Sequence, residues 1–191
     1  MLKTKIAVFV SGGGTNFEAL INAQENGKIP HGEIVLMVSS SKTAYALKRA
    51  ENHGIKSVVC SKKELGSQEK FEEEILKNLE ENDIQLIVLA GFMSILSKEF
   101  TKKYENRIIN IHPSLIPSFC GEGFYGLHVH EAALKKGVKV TGATVHIVNE
   151  IPDGGPIIMQ RAVYVEDNDT PEILQKRVME QAEWKILPES V

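Results

Sequence analysis

The sequence has 191 residues, enough for one domain with a real core and short for two. Its 42% hydrophobic and 25% charged content is that of an ordinary soluble globular protein, which excludes disordered and fibrous classes. A formal net charge of -3 and a pI near 6.1 leave no basic footprint for a phosphate backbone, so nucleic acid is not expected as a partner.

The chain enters an apolar run at 6–10 directly, without a small-residue cleavage site, and no apolar stretch is long enough to span a bilayer; a cytoplasmic location without membrane contact is expected. Residues 6–10, 34–38, 84–89 and 108–111 are continuous aliphatic runs, the pattern of parallel strands buried on both faces. Helix candidates separate them. The segment after Asn16 places Phe17, Leu20 and Ile21 on one face, and 44–52 and 68–79 carry charges around an apolar stripe, with His53-Gly54 as a stop signal. The acidic run 72–81 reads as the solvated face of its helix. This alternation predicts an α/β, Rossmann-like fold: a mostly parallel central sheet with helices on both faces and right-handed crossovers. Residues 140–148 and 157–165 are two further strands. The loop joining them holds Pro152-Asp-Gly-Gly-Pro156 and is too short for a crossover helix, so an antiparallel C-terminal strand pair is expected. A last helix takes Thr170 as N-cap and Pro171 as its first residue, and repeats Leu174, Val178, Ala182 and Ile186 at four-residue spacing. No repeat or linker divides the chain, and 1–191 reads as a single domain. Cys60 and Cys120 are far apart, which fits a reducing compartment and gives no zinc signature.

Ser11-Gly12-Gly13-Gly14-Thr15-Asn16 lies between the first strand and the first helix. Glycines allow close backbone approach, and a helix N-terminus offers unpaired N–H groups, so a phosphate is the natural guest. Phe17 stands where a dinucleotide fingerprint needs its third glycine, Ser39-Ser40-Ser41 replaces the acidic residue after the second strand, and no Walker lysine is present; a monophosphate fits better. The plainer reading, a tight strand-to-helix turn, stays open. The second motif is Asn110-Ile-His112-Pro113. Asn110 and His112 are two apart, so an extended chain points both to one side, and Pro113 forces an extended backbone on His112. An amide to stabilise an oxyanion, an imidazole to move a proton and a carboxylate at Asp153 to raise the imidazole pKa and hold it charged would serve transfer of an acyl carbon to an amine. Taken singly, His112 can be a hydrogen-bonded structural residue and Asp153 a turn residue.

Together with Leu89-Ala-Gly-Phe-Met93, Thr141-Gly-Ala-Thr-Val-His146 and Asp153-Gly-Gly-Pro-Ile-Ile-Met-Gln160, these motifs resemble the phosphoribosylglycinamide formyltransferases, over nearly the whole chain and in the right order. The block Asn110 to Pro117 by itself marks the wider formyltransferase superfamily, and with it the formyltransferase fold. The resemblance implies 10-formyltetrahydrofolate as co-substrate, glycinamide ribonucleotide as acceptor, and no metal. It implies catalysis by Asn110, His112 and Asp153, and a ribonucleotide site at Gly14, Thr15, Asn16 and Glu183. The folate would lie against Met93, Ser94, Ile95, Leu96 and Asn110, and against Asn149, Glu150, Ile151, Pro152 and Asp153. A monomer or weak homodimer with small-molecule substrates is expected.

The sequence departs from the family where Gln68 and Ser94 replace arginines common there, and it stops at Val191 where relatives continue, so a tail is either dispensable or missing. The longer stretch 119–126 is read as a surface excursion rather than a flap. Cys120, His128 and His130 match no metal spacing, a Cys120 nucleophile has no further support, and His146 is read as a satisfied near-core histidine. Three alternatives are a formyltetrahydrofolate hydrolase, which has a second histidine where Pro113 stands, a methionyl-tRNA formyltransferase, which has a further domain, and a non-catalytic folate or nucleotide binding protein.

Overall fold

The apolar runs of the first half form the centre of one sheet. The structure, a computed structural model, describes residues 2–191. β1 (Thr4–Val10), β2 (Gly32–Ser39), β4 (Leu86–Leu89) and β5 (Ile108–His112) run parallel, with the short β3 (Lys56–Val59) parallel at the edge. β6 (Val140–Ile147) is antiparallel to both β5 and the final strand β7 (Ile157–Tyr164), giving the order β3-β2-β1-β4-β5-β6-β7. The expected mostly parallel sheet with an antiparallel C-terminal pair is what the chain forms.

Central strands bury both faces because period-two alternation gives each layer its own apolar set. In β1, Ile6, Val8 and Val10 join one core cluster, Ala7 and Phe9 the other. The first cluster is covered by α1 (Thr15–Glu25), α2 (Ala46–Asn52), α6 (Leu127–Lys136), α7 (Pro171–Val178) and α8 (Trp184–Ser190), through residues such as Phe17, Leu20, Ala133 and Leu174. The second is covered by α4 (Gln68–Glu81) and α5 (Lys98–Lys103), with the one-turn α3 (Lys62–Leu65) leading into α4. Phe71, Ile75 and Leu79 of α4 are fully buried there, each stabilising the fold by roughly 1.5–3 kcal/mol relative to exposure. Phe9 meets Phe92 and Phe100 edge-on at 5.2 and 6.5 Å.

The last helix starts as expected, with Thr170 Oγ1 accepting the Ile173 N–H at 3.3 Å and Pro171 in the first turn. It is not one helix. A π-helical turn at Met179–Glu183 separates α7 from α8, although Leu174, Val178, Ala182 and Ile186 all reach the core. Glu72 corrects the expectation of a solvated acidic face. It is buried, its Oε1 accepting the Ser97 N–H at 2.6 Å and the Gln68 amide at 2.5 Å, its Oε2 the Ser97 hydroxyl at 2.5 Å. A buried carboxylate needs such donors, and here they tie α4 to the chain entering α5.

Candidate active site

The chain winds outward from β1 through β2 to β3 and then crosses back to β4 on the other side of β1, which opens a crevice at the carboxyl ends of the strands where the strand order reverses. The glycine loop fills the β1 corner. Gly14 has φ 71°, and a Cβ there would lie 2.8 Å from the Ala46 Cβ, so glycine is required for both conformation and space. Gly14 is also the N-cap of α1 and supplies no capping side chain, leaving first-turn N–H groups for a ligand. Beside it, the buried Asn16 donates through Nδ2 to Glu183 Oε2 at 2.5 Å, while Asn16 Oδ1 has no partner. Burial pushes Glu183 up to about 7, against the opposing effect of the Asn16 hydrogen bond. Thr15 Oγ1 lies 3.6 Å from Met179 Sδ in the π turn, so Gly14, Thr15, Asn16 and Glu183 form one group.

At the end of β5, Asn110 and His112 project to one side, as their spacing requires, and Asp153 meets both. His112 Nδ1 is 3.4 Å from Asp153 Oδ2, and Asn110 Nδ2 is 3.5 Å from Asp153 Oδ1. Asp153 reaches them from a tight turn in left-handed conformation, φ 54°. Gly155 makes that turn fit, since a Cβ on it would sit 1.8 Å from the Ile147 carbonyl oxygen. Burial lowers the His112 pKa, and Asp153 and the Phe119 carbonyl only partly restore it. The expectation that Asp153 holds the imidazole charged is therefore corrected: desolvation wins because His112 is only 5% exposed. For Asp153, burial raises the pKa, but contacts with His146, His112 and the Gly121 N–H outweigh it and leave the carboxylate below its ordinary value.

Two participants were not foreseen. His146, expected to be a bland core residue, is buried directly opposite Asn110 in the β5–β6 register. Its Nδ1–H donates to Ile147 O at 2.9 Å, Nε2 is the ring nitrogen that meets the Asn110 amide at 3.1 Å, and that nitrogen is 3.4 Å from Asp153 Oδ1. The loop 119–126 exposes Glu122, Gly123, Tyr125 and Gly126 as a surface excursion would, but its start belongs to the site. The Phe119 carbonyl accepts from His112 Nε2 at 2.8 Å, and the Gly121 N–H donates to Asp153 Oδ2 at 2.8 Å. These are backbone groups, which sequence patterns do not flag.

A cavity of about 140 Å³ opens onto this cluster, walled by Asn110, His146, Asp153, residues 149–152 and Ser94, Ile95 and Leu96. The last three continue into a groove of about 480 Å³ with Met93, Gln68 and Lys62. Every residue proposed to face the folate thus lines one or other space; His112 lies behind the wall, both ring nitrogens engaged. Among the described residues no group of three or more His, Cys, Asp or Glu could hold a metal, and no helix is long and apolar enough to cross a membrane.

Residues 4–191 match the formyl transferase family. The chain belongs to the formyl transferase family. Within it, the phosphoribosylglycinamide formyltransferase of Haemophilus influenzae is 38% identical over 96% of this chain and 84% of its own length. The trifunctional purine biosynthetic protein adenosine-3 of Gallus gallus is 47% identical over 97% of this chain, which spans only 18% of that protein. A crystal structure of phosphoribosylglycinamide formyltransferase from Bacillus halodurans superposes with a TM-score of 0.90 at 39% identity, covering 98% of this chain and 93% of that one. Residues of the motifs quoted above, among them Leu89, Asn110, His146 and Asp153, line the cavity just described.

Proposed function

We propose that this protein transfers the formyl group of 10-formyltetrahydrofolate to the amine of glycinamide ribonucleotide, as a cytoplasmic monomer or weak homodimer. The observation that carries the reading is the contact of Asp153 with both Asn110 and His112, where Asn110 and Asp153 line a cavity and His112 stands behind its wall, with a capless helix N-terminus on the same crevice. The folate ring enters the cavity between residues 149–153 and the wall of Ser94, Ile95 and Leu96, its tail passing Met93. The ribonucleotide phosphate rests on the N–H groups of Gly14, Thr15 and Asn16, with Glu183 facing its sugar. The free amine attacks the formyl carbon, and the carbonyl electrons become an oxyanion. Asn110 Nδ2 stabilises that oxygen with His112. His112 then passes the proton lost by the amine to the folate nitrogen as the carbon–nitrogen bond breaks, while Asp153 lifts the imidazole pKa against burial. Nε2 of His112 faces Phe119 O, so the loop 119–126 yields before that nitrogen reaches the reacting atoms.

The test mixes purified protein with a 10-formylfolate and follows formyl loss by absorbance, with and without glycinamide ribonucleotide. Loss that requires the ribonucleotide is expected. Loss without it would replace the transferase by a hydrolase, and no loss under either condition would leave only a binding protein.

A further inference from the structure

We propose that the Ser11 hydroxyl couples the two substrate sites, so that occupation of the phosphate loop tightens the wall on which the formyl donor rests. This deepens, and rests on, the transferase reading above. Ser11 is the residue between β1 and Gly12, and it holds the chain that leaves β4 at two points. Its N–H donates to Gly91 O at 3.0 Å, and its Oγ accepts the Met93 N–H at 2.8 Å. A backbone N–H can only donate, so the Ser11 oxygen is the acceptor there; its other contact is the Ser40 hydroxyl at 2.6 Å. Gly91, which carries the first of these contacts, turns the chain with φ 75°.

The far end of the same wall is anchored differently. Gln68 Nε2 donates to Ile95 O at 3.1 Å, and the Glu72 carboxylate takes the Ser97 N–H at 2.6 Å; both side chains belong to α4. Residues 93–97 are therefore a bridge with one abutment on a core helix and the other on the first residue of the glycine loop. A displacement of that loop by an arriving phosphate reaches Met93 itself through the Ser11 hydroxyl, the Ser11 N–H holding Gly91 two residues earlier, and leaves Ser97 in place. Ser11 borders neither the donor cavity nor its groove, so its influence on the donor is indirect and it is a positioning residue. Linkage makes the effect reciprocal: the donor must tighten the ribonucleotide by the same factor.

The experiment is calorimetric titration with tetrahydrofolate, which lacks the formyl group and cannot turn over, with and without saturating glycinamide ribonucleotide. Wild type, Ser11→Ala and Ser11→Thr are compared, together with their steady-state constants. Wild type is expected to bind tetrahydrofolate roughly fivefold or more tightly when the ribonucleotide is present, within the usual range of coupling. In Ser11→Ala that factor falls to about one and the donor KM rises roughly threefold to tenfold, the worth of one hydrogen bond. Ser11→Thr, which keeps the hydroxyl, retains coupling. A purely structural role would weaken binding without changing the ratio. Equal ratios in wild type and Ser11→Ala, in an enzyme that still transfers formyl groups, overturn the coupling alone; absence of ribonucleotide-dependent formyl loss in wild type overturns the function and the coupling with it.

Discussion

Glu183→Gln is a perturbation whose effect can be worked from the structure before any assay of turnover. The carboxyl ordinarily titrates at 4.5, and burial raises it to about 7 in the fold. Between those values the folded protein binds more proton than the unfolded chain, so stability falls as pH rises through this window; it is fully present below the lower value and lost above the upper one. At about 1.4 kcal/mol per pH unit the ionised carboxylate costs the fold about 3 kcal/mol near pH 8. No screening discount applies, because Glu183 is 6% exposed within the core side of the π turn. The introduced amide keeps an oxygen for the Asn16 Nδ2–H and adds a donor beside the unpartnered Asn16 Oδ1. Thermal unfolding of the ligand-free protein should therefore show the variant roughly 6–12 °C more stable than wild type near pH 8 and equal to it near pH 4.5, given about 2–4 °C per kcal/mol for a chain of this size. Equal differences at both pH values would refute the argument that a desolvated carboxylate is the source. Tighter folding with weaker ribonucleotide binding would show the group to be retained for its ligand.

Asp153→Asn removes the largest influence raising the His112 pKa, so the acidic limb of the pH–rate profile should move to lower pH as turnover falls; an unmoved limb refutes the pairing. Asp153→Ala removes the acceptor of the Gly121 N–H altogether, and limited proteolysis should cut within 119–126 faster than in wild type; an unchanged rate would mean that this hydrogen bond does not hold the loop. His146→Phe removes the nearer acceptor of the Asn110 amide and leaves only Asp153 Oδ1 at 3.5 Å, and kcat should drop roughly tenfold, about 1.4 kcal/mol, with donor KM little changed; a KM effect alone would assign His146 to binding. Gly155→Ala forces a methyl against the Ile147 carbonyl, and destabilisation of roughly 1–3 kcal/mol in urea, with activity lost in parallel, is the expected outcome; full activity would mean the turn is not what aims Asp153.

Much of the architecture was readable because uninterrupted aliphatic runs such as 6–10 and 108–111 have few fates other than central strands, and because Thr170-Pro171 is a helix start with a mechanism. β3 escaped notice as an edge strand whose Lys56, Ser57 and Val59 are exposed and show no apolar period. α6 did too: it buries only Val129, His130 and Ala133, and a histidine argues against a core position. In the site, Asn110, His112 and Asp153 were legible as chemistry placed at strand ends. His146 was not, since its partner depends on the β5–β6 register, and nothing local in Thr141 to His146 states which residue lies opposite. The direction of the His112 pKa failed for a related reason: the carboxylate is visible in the sequence, whereas the desolvation that outweighs it is made by tertiary packing.

The π turn at Met179–Glu183 admits one residue more per turn than the α-helices it joins. It acts as a phase shifter. Downstream of it, Ile186 and Leu187 pack into the core; the wider turn itself rotates Glu183 toward Asn16. Excising a single residue between 179 and 182 would restore a regular helix and turn everything before or after it by about 100°, so that the core stripe and the inward carboxylate could no longer be satisfied together. The irregularity is a register device that lets one helical segment serve the interior and the crevice at once.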